Sequence, residues 1–380
     1  MEHEGRAGRY EPQPQGYSAF IPTALPPDPP VHLNGDMLTL VSRADRSLGR
    51  LDGSIQTLPD PDLFVSMYMR KEAVFSSQIE GTQSSLDDLL EEEAQIDDPG
   101  RPPDVKEVQN YVEAMKYGLG VLREGSISTD VICRIHERLL EGSRGGSRER
   151  GRLRKVQNWI GPKGAAISDA TFVPPPPGMV QECLDDLVAF LGGGNGLPVL
   201  IRIGLAHAQF ETVHPFHDGN GRMGRLLIAF LLCETDILEK PVLYISHHLS
   251  VNRSAYYGSL QGIRDAGDWE SWLQFFLGAV GEAADSATKT ARNIVDLRER
   301  HRRTIAEQFG RATANGLKVL ESLYSSPIET VNGVVEITGL SFTAASNLMN
   351  RFVEHGILVQ MPGRSRNRRF RYGEYIGLFF

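Results

Sequence analysis

Cysteine is scarce in this 380-residue chain: Cys133, Cys183 and Cys233 stand far apart, with no CxxC and no cluster at metal-ligand spacing. That excludes a disulfide framework and a thiolate zinc centre, and it suits buried thiols in a reducing compartment. Long apolar runs are also missing. The longest, Leu226 to Cys233, has eight residues, far below the roughly 18 needed to cross a bilayer. The first twenty residues carry early acidic groups and no apolar signal core, so the sequence reads as that of a cytoplasmic protein with no membrane partner. Nor is there a basic excess: 40 Lys and Arg against 48 Asp and Glu give a net charge of -8, which argues against coating nucleic acid or anionic lipid through bulk charge.

What is present is a globular composition, 41% hydrophobic and 23% charged, on a length that calls for a large core with attachments or more than one domain. Residues 1–32 are rich in Pro, Gly and polar side chains and read as a flexible arm. From Pro61 a helical period begins, with Phe64, Met67, Tyr68, Lys71 and Phe75 on one face and Gly81 as the stop. Further helices are expected from Ser85, over Val105 to Leu122 and over Thr129 to Leu140. Between Ser143 and Pro177 the period disappears, and the runs KVQNWI and ATFV suggest a small hairpin flap, with a plain surface loop as the alternative. Helical pattern resumes over Met179 to Leu191, Pro198 to Val213, Gly221 to Glu234, Val251 to Asp265 and Asp268 to about Phe309. GGGNG at Gly192 to Gly196 lacks the Lys-Ser/Thr of a phosphate loop and reads as a helix-ending loop. From Arg311 the elements shorten into helix, helix, turn, helix and a two-stranded wing, the winged-helix pattern.

The stretch HPFHDGNGRMGR, from His214 to Arg225, joins two apolar helical runs. Each part alone is weak, since a lone His is usually structural and Asp before Gly-Asn is usually a turn. Together they supply the parts of a phosphate site. The backbone amides of Gly219, Asn220 and Gly221 at a helix start converge on an anion. Arg222 and Arg225, three apart, reach different phosphates of one chain. Asp218 offers a hard oxygen to magnesium, and His214 titrates in the range of a general base.

His214, Phe216, Asp218, Gly219, Asn220, Gly221, Arg222 and Arg225 match every fixed position of the signature HxFx(D/E)GNGRxxR, and the chain resembles the Fic family of protein adenylyltransferases on that ground. The resemblance implies an all-α Fic-fold helical core with a β-hairpin flap, followed by a C-terminal winged helix-turn-helix. It divides the chain into the arm (1–32), a Fic N-terminal region (33–125), a catalytic core (126–272), a connecting helix (273–310) and a winged-helix domain (311–380). It implies transfer of AMP from ATP to a Tyr, Ser or Thr hydroxyl of a target protein, with release of pyrophosphate. His214 is then the base and Asp218 the Mg2+ ligand. Gly219, Asn220 and Gly221 stabilise the α-phosphate, Arg222 holds the β-phosphate and Arg225 the γ-phosphate. Tyr256 and Tyr257 resemble the adenine-side residues, with core packing as an equal account of at least one. Phe216 is expected to point inward.

Ser76, Glu80 and Gly81 match the family's inhibitory pattern (S/T)xxxE(G/N), here N-terminal to the core. The resemblance implies that Glu80 pairs with Arg225 and competes with the γ-phosphate. It also implies a target protein docked as an added strand on the flap, residues 155–173. Self-modification and a homodimer are compatible with the sequence. Arg351, Arg364, Arg366, Arg368, Arg369 and Arg371 against Glu354 and Glu374 form a C-terminal basic patch that suits either DNA or protein contact. One alternative function is therefore a winged-helix DNA-binding regulator with the Fic part as nucleotide sensor. Another is a Fic enzyme transferring a different phosphate-containing group, although kinase-like relatives carry Lys at the place of Gly221 and lack Arg225.

Overall fold

The structure is a computed structural model that describes residues 5–56, 58, 60–96, 100–142, 149–162, 164–193, 196–362 and 368–379. It is predominantly helical. The N-terminal region contains α1 (Gly35–Gln56), α2 (Pro61–Ile79), α3 (Leu86–Glu93) and α4 (Val105–Leu122). α5 (Thr129–Leu139), α6 (Val180–Gly192), α7 (Val199–Val213) and α8 (Asn220–Glu234) follow, then α9 (Ser246–Val251), α10 (Arg253–Ala266) and the 40-residue α11 (Trp269–Gln308).

The centre of the fold is the α7–α8 hairpin. Every residue of α7 from Ile203 to Val213 is buried, as are Arg222 to Leu232 of α8. Helices buried on every side lie inside a larger assembly, and α2, α4, α5, α6 and α11 pack against this pair. The signature loop joining α7 to α8 is thereby held by two helices that cannot tilt without opening the core.

α2 starts as its sequence dictates: Asp60 accepts from the amides of Asp62 and Leu63, with Pro61 at the first helical position. It ends at Ile79, with Gly81 at φ 104°, so Glu80 leaves the helix on the turn that stops it. α1 is absent from the helices read off the sequence. Its Met37, Val41, Ala44, Leu48, Leu51 and Ile55 form a buried stripe laid along α11, and its polar outer face masked the pattern.

The N-terminal segment, expected as a flexible arm, forms a hairpin of β1 (Gly8–Pro12) and β2 (Ser18–Pro22). Ala19, Phe20 and Ile21 are buried, the Phe20 amide donates to the Val173 carbonyl at 2.9 Å, and Arg6 grips Glu270 with two nitrogens at 2.9 and 3.0 Å. Long-range partners order a segment whose composition alone cannot. The flap is a hairpin closed by pairing of Ile160 with Phe172.

Beyond α11 come α12 (Thr313–Ser322), β3 (Ile328–Thr330), α13 (Val331–Thr338), α14 (Phe342–Glu354), β4 (Val359–Gln360), β5 (Arg369–Arg371) and α15 (Gly373–Gly377). The wing is a three-stranded sheet in the order β3-β5-β4, one strand more than the sequence reading gave. Arg364 and Arg366 lie outside the described residues. Apolar packing is continuous from Ala7 to Phe379. Among the described residues no helix is long and apolar enough to cross a membrane.

Candidate functional site at the start of α8

α7 ends at His214, whose φ of 48° and ψ of 59° place a non-glycine residue in the left-handed region. Pro215 follows and cannot continue the helix. The chain then crosses to Gly219, at φ 76°, and enters α8. His214 is half-buried, with an enclosed Nδ1 that has no hydrogen-bond partner. Desolvation, reinforced by the charges of Arg264 and Arg154, pulls its imidazole down to about 3, so the ring is neutral at neutral pH.

The loop is clamped at Phe216. Asn220 accepts the Phe216 amide through Oδ1 and donates Nδ2 to its carbonyl, both at 2.8 Å, while Asn158 donates to the same carbonyl at 2.9 Å. The Asn220 side chain is thus engaged with the loop backbone through both its oxygen and its nitrogen. Phe216 points inward, fully buried, and stacks on His136 at 3.6 Å between ring centres. His136 accepts the Gly151 amide at Nδ1, so Nε2 carries the proton and donates to the Asp218 carbonyl at 2.9 Å. The Asp218 carboxylate accepts the Gly219 amide at 2.6 Å and is exposed.

Both signature arginines are buried and both are answered by carboxylates. Arg225, 2% exposed, donates Nε to Ser76 Oγ at 2.8 Å and Nη2 to the Ser76 carbonyl at 2.9 Å and to Glu80 Oε1 at 2.7 Å. Arg222 donates Nη1 to Glu107 of α4 at 2.8 Å. A Cβ added at Gly221 would lie 2.2 Å from Glu80 Oε1, so the carboxylate rests directly on the first turn of α8. Desolvation opposes the Glu80 charge, but the charge and hydrogen bond of Arg225, with Arg222 and His214 behind, hold the carboxyl below its usual range. Arg225 in turn is raised above its ordinary value, Glu80 outweighing desolvation.

The two tyrosines part company. Tyr256, 1% exposed, donates to His207 Nε2 at 2.9 Å, and His207 Nδ1 donates to the Gly224 carbonyl at 3.0 Å. It is a support beneath α8 and offers no open face to a nucleotide, because the core closes around it. Tyr257 stays 38% exposed under Arg253. Glu107, His136, Arg154, Asn158 and Arg264 are site residues the sequence reading missed; each is a lone residue of ordinary type, remote in the chain.

The description "Fic/DOC family N-terminal" matches residues 38–120, and "Fic/DOC family" matches residues 126–232. The chain belongs to the Fic/DOC family. It is 29% identical over 208 residues to a probable protein adenylyltransferase of Aquifex aeolicus, covering 52% of this chain and 58% of that protein. It is 31% identical over 174 residues to the protein adenylyltransferase fic-1 of Caenorhabditis elegans, covering 42% of this chain and 30% of that protein. The chain thus spans less than two thirds of these curated relatives. A Fic family protein from Desulfovibrio desulfuricans shares the fold with a TM-score of 0.57 at 22% identity, covering 90% of this chain and 97% of its own. A Fic domain containing signaling protein from Bacteroides thetaiotaomicron does so with a TM-score of 0.54 at 18% identity, over 68% of this chain and 97% of its own.

Proposed function

We propose that the protein is an adenylyltransferase that moves AMP from ATP to a hydroxyl side chain of a target protein and is held inactive by Glu80. The observation that carries this reading is the Glu80 carboxylate lying on the first turn of α8 and on Arg225. A helix N-terminus with a buried guanidinium is a seat for an anion, and here the chain's own carboxylate takes it.

In this reading His214 accepts the proton of the incoming hydroxyl; with Nδ1 enclosed, Nε2 is the nitrogen left to do so. The hydroxyl oxygen forms a bond to the α-phosphorus while the bond to the pyrophosphate oxygen breaks in line. Amides of Gly219, Asn220 and Gly221 receive the charge that develops at the α-phosphate. Arg222 and Arg225 hold the β- and γ-phosphates once Glu107 and Glu80 give way. Alignment supplies most of the rate, because an internal anion on Arg225 displaces the triphosphate tail and with it the attacked phosphorus.

Magnesium fits the residues present in one way only. Among the described residues no group of three or more His, Cys, Asp or Glu side chains forms a metal cage, and Asp218 is a single exposed carboxylate. One carboxylate plus substrate phosphates is how Mg2+ is commonly held beside a nucleotide. Asp218 would hold it, and the ion would neutralise phosphate charge during transfer.

The flap presents exposed Val156 and Trp159, at 53% and 41%, beside the pairing of Ile160 with Phe172. That edge suits an extended target segment held by main-chain bonds, which leaves sequence choice loose. The test is Glu80→Gly protein incubated with ATP labelled at the α- or the γ-phosphate. Label retained on protein from the α position alone is expected; retention from γ would replace AMP transfer by phosphate transfer.

A further inference from the structure

We propose that Arg154 and Arg264, from two separate elements, are positioning residues for His214, closing the C-terminal end of α7 and holding the base in its left-handed conformation. The proposal rests on the adenylyltransferase reading for what His214 does, but its geometry stands apart from that reading.

The last carbonyls of a helix have no partner within it. In α7 they are met by guanidinium groups. Arg264 of α10 donates Nη2 to the Glu211 carbonyl at 3.2 Å and Nε to Thr212 Oγ1 at 3.4 Å. Arg154, at the base of the flap, donates Nη2 to the Val213 carbonyl at 3.3 Å and Nε to the His214 carbonyl at 2.9 Å. Its own amide donates to the Pro215 carbonyl at 2.9 Å. Every residue from Glu211 to Pro215 is therefore fastened by one or other arginine. A non-glycine residue in the left-handed region costs roughly 1 kcal/mol or more and persists only when its surroundings hold it there.

Both arginines are buried, at 2% and 8% exposure. Among the described residues neither has a carboxylate within ion-pair distance, although Glu211 lies near enough to Arg264 for their charges to interact. Desolvation brings each guanidinium down to about 10. Such cations are costly, and the negative end of α7 offsets part of that cost. The groups that act electrostatically on His214 are Arg264 from α10, Arg154 from the flap base and, with opposite sign, Glu80 from the end of α2. Desolvation is the larger cause of the neutral imidazole, and the two buried cations beside the ring add to it by disfavouring a third positive charge. Arg264 also lies over the Phe172 ring at 3.8 Å, and Arg154 bonds the Pro175 carbonyl. The same two side chains therefore tie the flap to the base, fixing the distance between a docked hydroxyl and His214.

The experiment compares Arg264→Gln, Arg264→Lys, Arg154→Gln and Arg154→Lys in the full chain. The first readout is an NMR pH titration of the labelled imidazoles, with the His214 signal identified by its loss in His214→Ala. The wild-type ring is expected to stay neutral to below about pH 5, and each Gln variant to titrate upward by about one unit or more, with Lys restoring most of the shift. The second is AMP transfer against pH in the Glu80→Gly background. Each Gln change is expected to lower kcat about tenfold at an unchanged KM for ATP and to raise the acid limb of the profile. An unmoved His214 titration in folded Gln variants overturns the proposal. So does a Lys variant that folds and behaves as the Gln one. If no protein transfers AMP, the reading of the preceding section fails, while the imidazole titration still judges the positioning role.

Discussion

Arg222 and Arg225 lie buried at the start of α8, and Arg368, Arg369 and Arg371 lie half-buried on or beside β5. In the sequence both groups look like phosphate-facing basic clusters. What separates them is the chemistry of their partners. The α8 pair is answered by Glu107 and Glu80, carboxylates brought from α4 and the end of α2. A carboxylate on a guanidinium is readily exchanged for a phosphate, since charge and geometry are alike. The β5 group is answered mostly by neutral acceptors: Arg368 by Ser346 and Asn350 of α14, and Arg369 by the Gln95 carbonyl. Arg371 meets Asp87 of α3, and Arg351 meets the Phe309 carbonyl. Glu374, counted against the patch, is held by Arg300 of α11. Arg351, Arg368, Arg369 and Arg371 thus fasten the C-terminal segment to itself, to α3 and to the turn that follows α3.

The sharpest way to break this contrast is at the base that the α8 pair serves. His214→Ala is expected to lower AMP transfer by about 10² to 10⁴ while leaving ATP binding intact, the range for a lost general base. Isothermal titration with ATP alongside a transfer assay separates the two. Equal losses in binding and transfer would make His214 a structural residue.

Glu80→Gly comes next. Displacing the carboxylate from Arg225 costs ATP about 1–3 kcal/mol, discounted because a third of the Glu80 side chain is exposed. Removing it should therefore raise transfer about tenfold to a hundredfold. The same change leaves Arg225 buried without a carboxylate on Nη2, so the ligand-free variant should melt lower than wild type, and saturating ATP with magnesium should recover the loss. A variant that is more active yet no less stable would mean Glu80 and phosphate do not share a seat. Glu107→Gln retains a hydrogen-bond acceptor for Arg222 and should change the KM for ATP by fivefold at most, as for a partly exposed pair.

The signature was legible because its residues are contiguous and its glycines, Gly219 and Gly221, are demanded by a positive φ and by the close approach of Glu80. The helices that carry it were legible because α7 and α8 are long runs dominated by apolar residues. Placement was lost wherever a residue's role is set by a distant partner. Tyr256 and Tyr257 are neighbours of one type on different faces of α10; Tyr256 shares the buried face with Leu260 and Ile263, and its distant partner His207 marks it as a support beneath α8. Arg154 and Arg264 are single arginines in unremarkable contexts, and nothing local says that both end on the carbonyls of one helix. The hairpin of β1 and β2 was missed for the same reason, since its order comes from Val173 and Glu270.

The smallest effect tests the other half of the contrast. Arg371 and Asp87 side chains are 34% and 43% exposed, and an ion pair of that kind contributes about 0–1 kcal/mol. Docking therefore predicts that Arg371→Ala lowers stability by no more than that, and that Asp87→Ala does the same without an added loss in the double variant. If β5 were instead a nucleic-acid surface, Arg371→Ala would weaken binding of a labelled duplex and reduce the slope of log affinity against log salt by about one. Asp87→Ala would then strengthen binding by freeing the guanidinium. Fluorescence anisotropy on the 380-residue chain between 50 and 200 mM salt, conditions in which phosphate contacts declare themselves, distinguishes the two. An unchanged slope in both variants keeps the C-terminal arginines as fasteners, and a slope that moves with Arg371 would place both arginine clusters in the same chemical class after all.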